Sequence, residues 1–182
     1  MSVTIVLAVL GAIGIAASCG LRAFLPLLAL GIAARIGAAQ LGASSQWLAS
    51  DLALWTLGIA TVLEILADKI PVLDHALDVI GLALRPIAAT FGAFALLQAL
   101  PTPWSQLVAL TLGAGAFGLQ VTKAKVRLGS TALTLGHANP LLSVAEDATA
   151  LAISVAALLV PVAILILLVP VGLMLARGRR AR

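Results

Sequence analysis

The sequence predicts an all-α, polytopic membrane protein with about six hydrophobic segments, some of them short or broken. Of its 182 residues, 62% are hydrophobic and 10% are charged, whereas a soluble domain carries about 25% charged residues. So few charges leave too little polar surface to cover a globule in water. Within lipid every backbone polar group must be paired inside its own segment, so the long apolar runs are predicted to be helices.

The hydrophobic segments follow one another along the whole chain, which is predicted to be a single membrane domain, residues 1–182. They are residues 3–21, 23–34, 52–63, 79–100, 107–121 and 148–176. A spanning helix needs about 20 apolar residues, so several of these runs predict half-length or re-entrant segments. The first run lacks the basic region of a cleaved signal peptide and is predicted to remain as the first helix. The polar stretch "STALTLGHANP", residues 130–140, is predicted to be re-entrant or interfacial.

Two clusters of basic residues predict the orientation. "KAKVR" contains Lys123, Lys125 and Arg127, and "RGRRAR" occupies residues 177–182. Short basic flanks stay on the cytoplasmic side of a membrane. Both clusters, and with them the C-terminus, are therefore predicted to face the cytoplasm from the cell inner membrane. A patch that binds anionic lipid headgroups is the alternative for either cluster.

Pairs of similar stretches predict an internal repeat, with a first half at 3–80 and a second half at 107–160. The pairs are "GAIGI" and "GAFGL", each followed by an arginine (Arg22, Arg127), and "VLEILAD" and "LLSVAED", which end on Asp68 and Asp147. Chance similarity is the alternative, because Ala, Gly and Leu dominate the composition. If the basic cluster places only the second copy at the cytoplasmic side, the halves are inverted, as in many transporters.

The stretch "LEILADKIPVLDHALDVI", residues 63–80, concentrates four of the seven acids of the chain. Its ionisable side chains are Glu64, Asp68, Lys69, Asp74, His75 and Asp78. The stretch is predicted to be one helix with a kink at Pro71. At about 100° per residue, its carboxylates then share one side of the helix and Lys69 points away. Buried charge in a membrane is costly unless it is paired, so these acids are candidates for function. The alternative is an interfacial helix whose charges are solvated.

Acids and bases from both halves are predicted to form an ion- or substrate-binding site near the midplane, between the halves. The predicted site residues are Arg22, Glu64, Asp68, Lys69, Asp74, Asp78, Arg127, Asn139, Glu146 and Asp147. Carboxylates can carry protons or bind hard cations. Arg22 and Arg127 are each predicted to lie at a break where another helix begins, a position that attracts anions.

Enzyme signatures are weak in this sequence. It contains neither H-E-x-x-H nor G-x-S-x-G, and these are the local signatures of zinc proteases and of α/β-hydrolases. Its single cysteine excludes an intramolecular disulfide. No catalytic residue and no cofactor are predicted, and the question of a bound metal stays open.

Three stretches are the most specific part of a wider resemblance: "SCGLRAFLPLLALG", "LEILADKIPVLDHALD" and "GSTALTLGHANPLLSVAED". Through them the chain resembles a bacterial membrane family catalogued as domain of unknown function 4126. The resemblance covers nearly the whole chain. It implies a compact integral membrane protein and brings no established activity, so the functional expectation rests on the residues themselves.

The leading functional prediction is a small transporter or channel with a charged intramembrane site for a small ion or a proton-coupled solute. One alternative is a membrane-embedded enzyme that acts on lipid headgroups, with the aspartates as metal ligands. Another is a structural or assembly protein in which buried charges only fix the register of the helices. The predicted partners are the lipid bilayer and the small solute, and no nucleic acid. Small-residue helix faces also favour a homo-oligomer.

Overall fold

A computed structural model describes residues 3–134 and 137–159, except for the side chains of residues 71, 72, 74 and 75. Within these residues the chain forms α-helices and two short 3-10 helices, and no strand. The α-helices are α1 (Val3–Leu21), α2 (Phe24–Arg35), α3 (Asp51–Ala67), α4 (Pro71–Leu96), α5 (Trp104–Thr134) and α6 (Asn139–Leu159). The 3-10 helices are Ala43–Ala49 and Leu97–Ala99.

Four helical segments are long and apolar enough to cross a membrane: α1, α5, α6 and the segment Ala76–Ala99. A fifth candidate is the bent pair formed by Ala43–Ala49 and α3, whose axes differ by 63°. These segments confirm the prediction of an all-α, multi-pass membrane protein. The described residues provide four or five candidate spans, and the apolar run 148–176 continues beyond them at residue 160.

Residues 63–80 form two helices, and the prediction of a single kinked helix is wrong. Helix α3 ends at Ala67 and α4 begins at Pro71, with an extended backbone at Ile70 (φ −106°, ψ 114°). A residue before proline is disfavoured in the helical conformation, while proline itself suits the first position of a helix. Pro71 therefore begins a new helix, and Asp68 lies at the end of the preceding one.

Helix α5 is continuous over 31 residues, so two expectations for this region are wrong. No helix begins beside Arg127, and Ser130 to Thr134 belong to α5 and not to a re-entrant segment, while the interfacial alternative stays a prediction. Residues 122–134 contain no proline. The hydroxyls of Thr131 and Thr134 donate to the carbonyls four residues earlier, at 2.9 and 2.7 Å. Such local bonds satisfy polar side chains without interrupting the helix.

Helix α1 lies at the centre of the bundle, in contact with α4, α5 and α6. Small side chains allow this close packing. The alanines of the buried core include Ala12, Ala16, Ala89, Ala93, Ala116 and Ala157. A Cβ added at Gly20 would lie 3.1 Å from the carbonyl oxygen of Ala116. Glycine at this position therefore lets α1 and α5 approach at the level where the charged residues begin.

Successive helices run in opposite directions, which brings charged segments to one end of the bundle. The ends of α1, α3 and α5 meet the beginnings of α2, α4 and α6 at that end, because side chains there contact one another across all of these elements. The two breaks, between α1 and α2 and between α3 and α4, lie within this region.

Candidate functional site

Among the described residues, ten charged side chains meet where the α1–α2 break faces the α3–α4 break, and we call this group the polar centre. Its acids are Glu64, Asp68, Asp78, Glu146 and Asp147, and its bases are Arg22, Lys69, Arg85, Lys123 and Arg127. The numbers of acids and bases are equal, so the formal charge of the group is zero. Buried charges require such pairing, because removing one partner of a buried pair costs about 3–5 kcal/mol.

An ion pair between Arg22 and Asp68 joins the two helix breaks. Arg22 Nη2 lies 2.6 Å from Asp68 Oδ2, and both side chains are fully buried. Ser143 of α6 completes the contact, since its hydroxyl accepts from Arg22 Nη2 at 2.9 Å and lies 3.2 Å from Asp68 Oδ2. Arg22 Nε also lies 2.6 Å from Asp147 Oδ1, although these two atoms are not aligned for a hydrogen bond.

Helix α5 contributes two further cations, Lys123 and Arg127. Arg127 Nη2 lies 2.6 Å from Asp68 Oδ2 and 2.7 Å from Glu146 Oε2, and its Nε donates to Glu146 Oε1 at 3.3 Å. Lys123 Nζ lies 2.9 Å from the same Glu146 oxygen, Oε2. Asp68 thus links two arginines that come from different helices, and Glu146 links both α5 cations to α6.

Two charged side chains cap the helix ends exposed by the α1–α2 break. The carboxylate of Glu64 accepts hydrogen bonds from the backbone N–H groups of Ala23 (3.0 Å) and Phe24 (3.2 Å) at the start of α2. Lys123 Nζ donates to the carbonyl of Leu21, the last residue of α1, at 3.3 Å. Each charge has the sign that the helix dipole favours at that end. The N-terminus expected to attract an external anion beside Arg22 is therefore occupied by Glu64.

Arg85 of α4 extends the polar centre towards Asp78. Its guanidinium hydrogen-bonds the side-chain oxygen of Gln120 and lies 3.9 Å from the nearest oxygens of both Glu64 and Asp78. Gln120 in turn donates to the backbone carbonyl of Asp78 at 3.2 Å. One base shared between two acids gives this branch a formal charge of −1 among the described side chains.

Asp68 lies in the break between α3 and α4, outside the candidate spans. Burial raises the pKa of its carboxyl, but the positive charges of Arg22, Lys123 and Arg127 together outweigh that effect and hold the pKa below its ordinary value. Asp68 is therefore a carboxylate across the physiological pH range, and its negative charge is available to the arginines throughout that range.

In two of the helices that meet at the polar centre, the charges follow a long apolar stretch. Arg22 follows α1, whose 19 residues rise about 28 Å at 1.5 Å per residue. Lys123 lies a similar distance along α5 from Trp104. These lengths are close to the thickness of the hydrocarbon core of a bilayer, about 30 Å. Arg85 of the polar centre, by contrast, lies within the candidate span Ala76–Ala99, and the expected midplane site stays a prediction.

A cavity of about 200 Å³ lies next to the polar centre, between α4, α5 and the first residue of α6. It is lined by Asp78, Val79, Leu82, Ala124, Arg127, Leu128, Thr131 and Asn139. Most of the wall is apolar, and Asp78 and Arg127 of the polar centre also line it. Asn139, which was predicted as a site residue, lies in this cavity and not among the ion pairs.

The structure brings most of the predicted site residues together. Those within the polar centre are Arg22, Glu64, Asp68, Lys69, Asp78, Arg127, Glu146 and Asp147. Lys69 does not point away from the acids as expected, because its Nζ lies 3.8 Å from Asp147 Oδ2. The side chain of Asp74 lies outside the described residues. Glu64 and Asp68 are buried, unlike the solvated charges of an interfacial helix.

Sequence reasoning left Lys123 and Gln120 out of the site. Lys123 was interpreted only as an orientation signal, yet its side chain is 4% exposed. A periodic signal was present, because the buried positions of α5 recur every three or four residues: Ser105, Ala109, Gly113, Ala116, Gln120, Lys123 and Arg127. This spacing defines one side of a helix. The buried side of α5 is apolar at first and then carries Gln120, Lys123 and Arg127.

Metal-ligating residues do not cluster in the described part of the chain. No group of three or more His, Cys, Asp or Glu side chains there is placed to hold a metal ion. Asp68 and Asp78 are held by different cations, Arg22 and Arg127 in one case and Arg85 in the other. The described carboxylates are thus arranged as partners of bases.

Comparison with known proteins gives one match. The family model described as "Domain of unknown function (DUF4126)" matches residues 9–180. No curated protein and no solved structure matches the chain.

Proposed function

Because the chain belongs to the DUF4126 family, whose description assigns no activity, we propose a function from the site itself: a small membrane transporter. In this proposal the polar centre takes up a small ion or a proton-coupled solute. The family membership confirms the resemblance found in the sequence, and the transport function is an inference from geometry.

The ion pair between two helix breaks is the observation that supports this proposal. Arg22 lies in the α1–α2 break, Asp68 lies in the α3–α4 break, and the pair is fully buried at 2.6 Å. Many secondary transporters form their sites from discontinuous helices, whose freed termini and nearby charges contact the solute. Here the freed termini of α1 and α2 are held by Lys123 and Glu64, side chains that can exchange partners without unfolding a helix.

The apolar half of the bundle supports a transporter in preference to an open channel. Beyond the polar centre, Ser18 and Ser154 form one further buried polar contact, at 2.7 Å. The core next to it is apolar and tightly packed, with side chains such as Ala12, Ile15, Ala89, Ala93 and Leu97. A conducting pore requires a wet lining, whereas a transporter closes one side of its site in each state. In this proposal the bundle is closed at its apolar end.

A structural role is the second candidate, and the balance of charge favours it. Five acids and five bases neutralise one another, which is the arrangement expected if the charges only fix how the helices assemble. A buried ion pair can specify the arrangement of helices without adding net stability. The two roles predict different solute flux for the wild-type protein and for a folded variant that lacks one charge.

We further propose that the protein lies in the inner membrane with the end of α5 on the cytoplasmic side. Of the cluster "KAKVR", Lys123 and Arg127 are buried in the polar centre, and Lys125 is exposed. Lys125 and the tail at 177–182 therefore carry the positive-inside signal in this proposal. The tail lies outside the described residues, so its cytoplasmic location remains a prediction.

Proton flux into proteoliposomes tests the proposal. The full-length protein is reconstituted with a pH-sensitive dye inside, and a potassium diffusion potential drives proton entry. We expect flux above that of empty liposomes, and we expect Asp68→Asn to abolish it while the variant remains folded. Asp51→Asn is the matched control, because Asp51 forms an exposed pair with Arg35.

The structural candidate gives the opposite pattern in the same assay. If the charges only hold the helices together, the wild-type protein shows no flux above that of empty liposomes, and Asp68→Asn changes only the stability of the protein. A folded Asp68→Asn variant with wild-type flux would contradict the transport proposal at this site.

A further inference from the structure

The cavity beside the polar centre has the size and shape of a site for a small molecule. Its volume of about 200 Å³ is below the 300–1,000 Å³ typical of pockets for drug-sized ligands. It corresponds to about six or seven water molecules at roughly 30 Å³ each. A ligand with a handful of heavy atoms fills it.

Two residues that line this cavity each have a buried oxygen atom that lacks the hydrogen bonds buried acceptors normally have. Asp78 Oδ1 and Asn139 Oδ1 are buried, and neither accepts a hydrogen bond. The amide nitrogen of Asn139 is engaged, since Nδ2 donates to Thr131 Oγ1 at 3.0 Å. Buried polar atoms in native structures are nearly always satisfied. Asp78 Oδ1 and Asn139 Oδ1 can therefore each accept a hydrogen bond from a bound donor.

The charge around Asp78 favours a cationic donor. Arg85, the nearby base, lies 3.9 Å from Asp78 Oδ1 and also 3.9 Å from Glu64, so one guanidinium serves two carboxylates. Arg127, which also lines the cavity, is engaged by Asp68 at 2.6 Å and by Glu146 at 2.7 Å. The charge of Arg127 is thereby offset. The group formed by Glu64, Asp78 and Arg85 keeps a formal excess of one negative charge among the described side chains.

The remaining wall suits a short hydrocarbon chain. Val79 and Leu82 of α4 face Ala124 and Leu128 of α5 across the cavity. Apolar surface removed from water contributes about 25 cal/mol per Å² to binding, so an alkyl chain gains affinity along this wall. A fully polar cation such as a hydrated metal ion gains nothing there.

We propose that this cavity binds a small alkylammonium ion, with the ammonium group at Asp78 and Asn139 and the alkyl chain between α4 and α5. The ammonium group supplies the donors that the two free oxygens need, and its charge matches the excess at Asp78. Resting on the proposed transport function, such a cation is also the class of solute that passes to the polar centre.

Ligand-observed NMR on the purified full-length protein tests this assignment with three probes of equal chain length: n-butylammonium, n-butanol and n-butyrate. Empty detergent micelles provide the baseline for partitioning. We expect saturable binding of n-butylammonium, weaker binding of n-butanol, and none of n-butyrate. Asp78→Asn should weaken n-butylammonium binding at least tenfold and leave n-butanol binding nearly unchanged, because only the charge is removed.

Filling the cavity should remove binding of every probe. Ala124→Leu places a larger side chain in the wall, and Ala132→Leu is the matched control, because Ala132 lies on the same helix, is exposed, and does not line the cavity. If Ala124→Leu does not fold, Val79→Phe serves the same purpose from α4. Binding of n-butyrate equal to that of n-butylammonium, or binding that survives both filled variants, would overturn the proposal.

Binding and flux are separate measurements, so their failures can be told apart. Saturable n-butylammonium binding without any flux would contradict transport and leave the cavity assignment in place. Proton flux that depends on Asp68, together with no binding of n-butylammonium, would overturn the cavity assignment and leave the transport proposal standing.

Discussion

At the scale of single residues, the charge of Asp68 is shared among partners from three different helices. Its Oδ2 atom lies 2.6 Å from both Arg22 Nη2 and Arg127 Nη2 and 3.2 Å from the hydroxyl of Ser143, while Oδ1 has no hydrogen bond. One carboxylate oxygen thus connects the α1–α2 break, α5 and α6. The same logic applies to Lys123, which joins Glu146 to the carbonyl end of α1.

Replacing Lys123 separates its role in the polar centre from a role as an orientation signal. We expect Lys123→Met to lower the free energy of unfolding by about 3 kcal/mol, because it removes one of the two α5 cations that hold the Glu146 carboxylate and leaves the Leu21 carbonyl without its side-chain donor. Lys125→Met is the control, since the neighbouring lysine is exposed, and we expect a change within about 0.5 kcal/mol. Denaturation of the purified protein in mixed micelles measures both, and equal effects would contradict burial of Lys123.

The acids of the site could be found from the sequence, but several of their partners could not. Glu64 and Asp68 are conspicuous because few charges occur in so apolar a chain. Lys123 lies in a cluster that also fits the positive-inside pattern, and composition cannot distinguish a buried lysine from a flanking one. The buried side of α5 does distinguish them, because Lys123 lies on the same stripe as Ala116 and Gln120.

At the scale of helices, the α1–α2 break is stabilised by side chains from other elements. Glu64 of α3 accepts from two backbone N–H groups of α2, and no residue of α2 itself caps that end. A helix leaves its first N–H groups without partners, so α2 depends on a residue that lies about 40 positions away in sequence. The break is therefore a tertiary feature and not a local one.

Neutralising Glu64 tests this dependence. We expect Glu64→Gln to lower the free energy of unfolding by about 2 kcal/mol, because a buried charge favourable to the helix dipole is lost. Asp51→Asn is the control, since Asp51 lies in the first turn of α3 but its side chain is 79% exposed. We expect its effect to stay below about 0.5 kcal/mol. A Glu64→Gln effect as small as that of the control would show that the α2 terminus does not need this charge.

The positions of helices and the break at Arg22 were predicted from the sequence, but the full break before Pro71 and the continuity of α5 at Arg127 were not. Proline signalled the α3–α4 break at Pro71, although a kink and a full break have the same sequence signature. The α1–α2 break contains no proline between Leu21 and Phe24. The similarity of the Arg22 and Arg127 regions predicted equivalent breaks, yet α5 is continuous because its threonines bond within the helix. The repeat itself stays a prediction.

At the scale of the whole molecule, the bundle has a charged end and an apolar end. In α1 and α5 the charges of the polar centre begin about 28 Å along the helix. The remainder of the described core is mainly apolar, with a few buried hydroxyls such as those of Ser18 and Ser154. The sequence predicted a charged site within a membrane protein. It did not predict the depth of the site along the helices, because that depth depends on which helix ends meet. That depth is decided by the antiparallel order of the helices.

Cysteine labelling tests this depth. In a Cys19→Ala background, we expect a water-soluble maleimide to label Leu133→Cys at the charged end of α5 and not Leu110→Cys. Both positions are exposed on the same helix, at 87% and 59%, but only Leu110 lies in its apolar half, which faces lipid in this account. In intact spheroplasts we expect Leu133→Cys to react only after permeabilisation, because the charged end is proposed to face the cytoplasm. A protected Leu133→Cys in detergent-free, broken membranes would place the polar centre deeper.

The most direct test of the polar centre is a double-mutant cycle on Arg22→Gln and Asp68→Asn, measured as the free energy of unfolding. If these side chains form the buried pair that joins the two breaks, each single variant loses about 3–5 kcal/mol. The double variant then loses little more than either one, which gives a coupling of about 3 kcal/mol. The exposed pair Arg35–Asp51, treated in the same way, is expected to couple by less than about 1 kcal/mol. Additive effects of Arg22→Gln and Asp68→Asn would contradict the pairing of the two breaks.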